Sequence, residues 1–155
     1  MRQFRQALQR TTPAITAELT APADRDGSAF CASARRLSQH VDALVVSERA
    51  TNRPISPVAL AELLLQEQID PIPRLSRRGR NRIALLGELL GLRALGVTSL
   101  LLDEEPDEEI HSADERKFTV DETTWIDMAN DLGGTDWAGS PHEFLIGGQV
   151  PVPAA

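Results

Sequence analysis

The chain has 155 residues, a formal net charge of −7 and a hydrophobic content of 41%. That length and content suit one domain with a real core and exclude wholesale disorder. The charge excludes a basic face broad enough for a nucleic-acid backbone, and the acidity speaks for solubility more than for a particular partner. Cys31 is the single cysteine, so an internal disulfide is excluded and a reducing, cytoplasmic setting is expected. Aromatic residues are only 4% of the chain, which leaves the core to Leu, Ile, Val and Ala. No apolar run approaches the length of a membrane span.

The first residues, 1–13, form a basic amphipathic segment without the apolar stretch of a signal peptide. Its arginines also suit a mitochondrial address, but Phe4 and Leu8 on one face make a short docking helix the favoured reading. Ala14 to Leu19 is short and partly β-branched and runs into a turn at Pro22, which predicts a strand. Asp26 to Ser38 places Phe30, Ala34 and Leu37 at helical spacing. Val41 to Val46 is a buried strand. Ser56 followed by Pro57 starts a helix that runs to about Gln68. Asp70 to Ser76 is a short strand with prolines near its start. Asn81 to Leu95 is a helix stopped by Gly96, and Val97 to Leu102 another buried strand. Asp103 to Asp114 is an acidic loop. Asp121 caps a helix through Trp125, Met128 and Leu132 that ends at Gly133 and Gly134. Phe144 to Val150 is a last strand, and 151–155 is a tail.

Strands and helices alternate, and the strands are apolar throughout. That pattern predicts an α/β fold with about five parallel strands. An eight-unit barrel needs about 250 residues. The expected architecture over 14–150 is therefore a partial TIM-type (βα) barrel or an open sheet. In both, sites form at the carboxyl ends of the strands.

The polar residues at those ends are the candidates. Glu18 lies within an apolar strand, where a carboxylate can serve as a general acid; alternatively it sits in water or pairs with an arginine. The run from Arg74 through Arg77, Arg78, Arg80 and Arg82 enters a helix. It either holds an anion at the helix start or is a solvated charge run. Ser47, Ser76, Asp103 and Gln149 stand at the carboxyl ends of other strands, Ser47 and Asp103 just after them. His40, His111 and His142 are too scattered for a metal site. Cys31 shares a helix face with Phe30 and Ala34, which favours buried packing over nucleophilic use. The acidic residues 103–109 suit a solvated loop better than a cation site.

Several segments, taken together, carry a resemblance. Ile15-Thr16-Ala17-Glu18-Leu19, Val41 to Ser47, and Arg53 to Ala61 are similar to the opening of the methylenetetrahydrofolate reductases. The best match is Arg80-Asn81-Arg82-Ile83-Ala84-Leu85, followed by Leu89 to Gly96, which resembles that family's "RDRNRIAL…LLGxxALGI" helix. Phe144-Leu145-Ile146-Gly147-Gly148 resembles its "IGAAVNP" strand. The resemblance spans roughly 14–150, in order.

The resemblance implies a flavin-bearing barrel that reduces methylenetetrahydrofolate to methyltetrahydrofolate, with FAD relaying the hydride and the protein positioning the cofactor and supplying a proton. By this match Glu18 is the general acid and Ser47 the flavin-contacting hydroxyl of the second strand. Arg74, Ser76 and Asp103 fall at the other cofactor positions, and Gln149 falls on the substrate side. The departures are specific. The family's fourth-strand "TGD" is lost, its acid recoverable only by a shift to Asp103. Gly79 replaces an aspartate, Arg74 replaces a histidine or glutamine, and "VNP" becomes Val150-Pro151-Val152. Strands six to eight have no counterpart. Two functions are therefore expected: a non-catalytic or partner-dependent relative with a degenerate site, or a flavin-dependent reductase completed as an oligomer. In either case a second copy or another protein is expected to cover the open edges of the sheet, and neither nucleic acid nor membrane is expected as a partner.

Overall fold

The computed structural model describes residues 4–20, 27–47, 55–77, 80–103, 120–134 and 144–148. Five strands are β1 (Thr16–Thr20), β2 (Ala43–Ser47), β3 (Pro71–Ser76), β4 (Ser99–Asp103) and β5 (Leu145–Gly148). The helices are α1 (Phe4–Ala7), α2 (Gly27–Leu37), α3 (Pro57–Gln66), α4 (Arg82–Ala94) and α5 (Glu122–Gly134). All strands are parallel, and their order across the sheet is their order along the chain. The expected α/β alternation is therefore present. Asp103, expected to open a loop, instead closes β4. The remainder of the expected acidic loop lies outside the described residues.

The caps explain where helices begin. Ser56 accepts from Val58 N–H at 3.3 Å, and Pro57 follows at a position whose N–H has no helical partner. Asn81 accepts from Ala84 N–H at 2.9 Å, and Asp121 from Thr124 N–H at 2.9 Å. The ends of α3 and α4 share one motif. Gln68 and Ile69 N–H donate to Leu65 and Leu64 carbonyls at 3.0 and 2.9 Å; Gly96 and Val97 N–H donate to Arg93 and Leu92 at 2.9 and 3.0 Å. This closure needs a left-handed residue. After α4 it is Gly96 at φ +79°, but after α3 it is Gln68 at φ +61°.

Right-handed crossovers between neighbouring parallel strands put α2 to α5 on one face of the sheet. Two apolar clusters fill that face. One joins Leu44 and Val46 to Phe30, Cys31, Ala34, Leu60 and Leu64. The other joins Leu75, Leu100 and Leu102 to Leu85, Leu89, Leu92, Trp125 and Met128. Cys31 is buried, and burial pushes its thiol pKa up. A thiol in that setting is packing material.

β3 carries prolines in the middle of a sheet, where a missing N–H normally costs a ladder bond. The register shows how they are tolerated. Leu44 N–H donates to the Asp70 carbonyl, so the even-numbered residues of β3 turn their backbone groups to β2. Pro71 and Pro73 then face β4, and β4 pairs with β3 only from Arg74 onward.

The second face is covered in part by the N-terminal segment. Phe4 packs against the cluster of Ala43, Val45 and Ile72, which Leu101 also joins. Its N–H donates to Asp70 Oδ2 at 2.6 Å. Further along, Arg10 pairs with Asp42 at 2.8 Å, and Ile15 N–H donates to the same carboxylate at 3.0 Å. The docking helix expected from Phe4 and Leu8 is thus a strap tied to the sheet by Asp70 and Asp42.

Gln68→Gly is expected to stabilise the protein by about 1 kcal/mol, because glycine adopts the left-handed conformation without the side-chain clash; a urea midpoint that does not rise would refute this. Burial raises the Asp70 pKa, and the Phe4 N–H offsets this only in part. A raised carboxylate pKa stabilises the folded state below the unfolded value and loses that contribution as pH rises through the folded one. The stability of the protein relative to Asp70→Asn is therefore expected to fall as pH rises above about 4. Urea midpoints at several pH values check the sign.

Candidate functional site

Side chains alternate along each strand, so Glu18, Val45, Ile72 and Leu101 share the face opposite the helices, as do Ser47, Arg74, Ser76, Ser99 and Asp103. Toward the N-terminal ends of the strands this face is apolar and lies under the strap. Toward the carboxyl ends it is polar, which is where sites form on parallel sheets.

Arg74 is the centre of the polar end. It is 7% exposed, on the middle strand. Its Nη2 donates to Asp103 Oδ1 at 2.9 Å, and its Nη1 lies 3.2 and 3.4 Å from the two carboxylate oxygens of Glu18. One guanidinium therefore bridges β1 and β4 across the sheet. Asp103 is as buried as Arg74, whereas the Glu18 side chain is 41% exposed. Burial lowers the Arg74 pKa, but the hydrogen bond and charge of Asp103, followed by those of Glu18, more than offset it, and the pKa is raised. The planar fork of donors is what allows one side chain to serve two carboxylates.

Of the expected site residues, Glu18, Arg74 and Asp103 are thus brought together. Glu18 makes the pairing with an arginine named among its alternatives and also keeps contact with solvent. Ser47 closes β2, paired in register with Thr20, and is 2% exposed; its Oγ has no hydrogen-bond partner among the described residues. Ser76 ends β3 in register with Asp103, and its carbonyl accepts from Arg80 Nη1 at 2.9 Å. Gln149 lies outside the described residues.

Among the described residues, Arg74, Arg77 and Arg80 of the basic run turn to separate partners. Arg74 turns inward to the carboxylates. Arg77 donates to the Val120 carbonyl at 3.1 Å, and Arg80 reaches Glu88 at 3.2 Å. Arg77 and Arg80 tie the β3–α4 connection to its surroundings, and Arg78 lies outside the described residues. Among the described residues, no group of three His, Cys, Asp or Glu is placed to hold a metal ion, and no helix is long and apolar enough to cross a membrane.

Sequence reasoning placed Arg74 on the third strand but missed that it turns to two carboxylates. The available signal was its position: it lies on the same face as Asp103 of the adjacent strand and Glu18 two strands away. Asp42 and Asp70, which hold the strap, were also missed.

No family model matches the chain, and no curated protein matches it.

Arg74→Met is expected to cost about 3–5 kcal/mol, because it takes the neutralising guanidinium away from the buried carboxylate of Asp103. Glu18→Gln is expected to cost less than about 1 kcal/mol, since solvent screens that end of the cluster. Chemical denaturation of both variants checks the ranking; equal costs would mean that Asp103 does not depend on Arg74.

Proposed function

We propose that this chain is a non-catalytic or partner-dependent relative of the methylenetetrahydrofolate reductases, a partial (βα) barrel whose flavin and folate site has given way to internal ion pairing. The observation that carries the reading is the placement of Arg74 between Glu18 and Asp103. The resemblance assigns Glu18 the role of general acid and places the fourth-strand acid beside the flavin ring. Here a single buried guanidinium occupies the space between them. Both oxygens of Glu18 lie within hydrogen-bonding distance of Arg74, which is the contact a substrate would otherwise make.

The residues present do not fit a flavin. Arg74 and Asp103, both at positions implied for the cofactor, hold each other. A partner is proposed from the sheet itself. β1 and β5 are its outer strands, and among the described residues no strand covers their free edges. Open edges of this kind invite pairing with another chain. A second copy or a different protein seated there would extend the sheet toward a closed barrel.

One observation favours the alternative. Ser47 carries a buried hydroxyl without a partner among the described residues, on the same face as Glu18, as a ligand-contacting hydroxyl would. The alternative is FAD-dependent reduction of methylenetetrahydrofolate to methyltetrahydrofolate in a completed oligomer, with Glu18 as general acid once freed from Arg74.

The visible absorption spectrum of the protein, incubated with excess FAD and desalted, separates the two. A colourless protein is expected. A retained flavin spectrum that disappears in Ser47→Ala would overturn the non-catalytic reading in favour of the reductase.

A further inference from the structure

We infer that the N-terminal strap and the apolar part of the open sheet face border a binding site for a small, neutral, mainly apolar molecule carrying one hydrogen-bonding group. This site is separate from the Glu18–Arg74–Asp103 cluster and does not rest on the reading proposed above.

A cavity of about 350 Å³ lies between the strap and the sheet. Phe4 and Leu8 form its strap wall; Val45, Ile72, Leu101 and Leu145 contribute from four strands. Its size is within the range of small-molecule pockets and roughly twice that of a cavity that holds benzene. The strap is pinned at both ends, by Phe4 N–H on Asp70 and by Arg10 and Ile15 N–H on Asp42. The cavity is therefore preformed.

Ser99 gives the site its polar point. It lines the cavity, is 1% exposed, and its Oγ has no hydrogen-bond partner among the described residues. A buried hydroxyl without a partner is uncommon and costs free energy until something pairs with it. A ligand with a single donor or acceptor would supply that pairing. Charge sets the remaining limit: no described residue lining the cavity is charged, so an ionised ligand would be buried without a counter-charge. Thr16 also lines the cavity, but it is exposed, so its hydroxyl is met by water. Apolar walls, one buried hydroxyl and no charge together describe a neutral aromatic or aliphatic molecule with one polar atom.

Leu8 stands at the mouth, 50% exposed. Its position lets the opening be blocked without touching the core.

The test uses the intact protein and indole, a neutral bicyclic molecule whose N–H can donate to Ser99 Oγ, followed by calorimetry or amide chemical-shift titration. Indole is expected to bind with a sub-millimolar Kd, and Ser99→Ala to weaken it about tenfold. Indene, which has the same shape without the N–H, is expected to bind the native protein about as weakly as indole binds the variant. Indole-3-acetate, which carries a charge, is expected not to bind. Ser99→Ala breaks no described hydrogen bond, so the fold should survive, and a thermal midpoint verifies this. Leu8→Trp, at the half-exposed mouth, should abolish binding while leaving the midpoint unchanged. Absence of indole binding at millimolar concentration would overturn the inference. Equal affinity in the native protein and Ser99→Ala would overturn it too, as would a self-associated protein whose cavity admits indole only after the copies separate.

Discussion

A parallel strand can pair with its predecessor only after the chain has crossed back over the sheet, and the crossover is right-handed almost without exception. When the strands are also laid down in order from β1 to β5, every crossover falls on the same side. The consequence runs through the molecule. Helices α2 to α5 cover one face and, among the described residues, leave the other without a layer of its own. The apolar part of that face, Ala43, Val45, Ile72 and Leu101, is met by Phe4 from the strap. The polar part contains its own counter-charges, in Glu18, Arg74 and Asp103. The chain thus solves one topological problem by two means, hydrophobic cover at one end of the strands and charge pairing at the other.

The charge pairing is asymmetric in a way that matters for chemistry. Arg74 and Asp103 are both withdrawn from solvent, while Glu18 keeps contact with it. Desolvating a guanidinium is costly, so its retention on a central strand depends on the geometry of its hydrogen bonds. Asp103 provides the shorter contact and the deeper burial, and Glu18 completes the fork from two strands away. The pair with Asp103 is therefore the structural bond, and the contact with Glu18 is the one that a competing ligand at the surface could displace.

Much of this fold was legible in the sequence, because local rules decide it. Apolar runs bounded by caps mark the strands and helices, and Ser56, Asn81, Asp121 and Gly96 stand where helices begin or end. The burial of Cys31 followed from its place beside Phe30 and Ala34. What could not be read depends on partners far apart along the chain. Arg74 and Glu18 are 56 residues apart, and in the linear pattern Arg74 is also the first member of an arginine-rich run at the end of its strand. Only the register of four parallel strands reveals that it faces two carboxylates. The anchors of the strap were hidden for the same reason: Asp42 and Asp70 read as polar punctuation before apolar strands, and their partners lie in a segment that local periodicity cannot place. Gln68 shows a different limit, since the Schellman closure after α3 occurs without the glycine that usually announces it.

The prolines of β3 have a consequence for how the molecule breathes. Because Pro71 and Pro73 offer no N–H toward β4, the seam between the third and fourth strands is laced along only half its length. The two apolar clusters on the helix face divide one strand earlier: Leu44 and Val46 of β2 belong to one, with Leu60 and Leu64 of α3, and Leu75 of β3 belongs to the other, with Ala61. Shared burial on the helix face therefore holds β3 to β4 where the proline half of their seam lacks ladder bonds. Cooperative units follow shared burial. In amide exchange, this makes the third, fourth and fifth strands exchange together, as a block, rather than residue by residue.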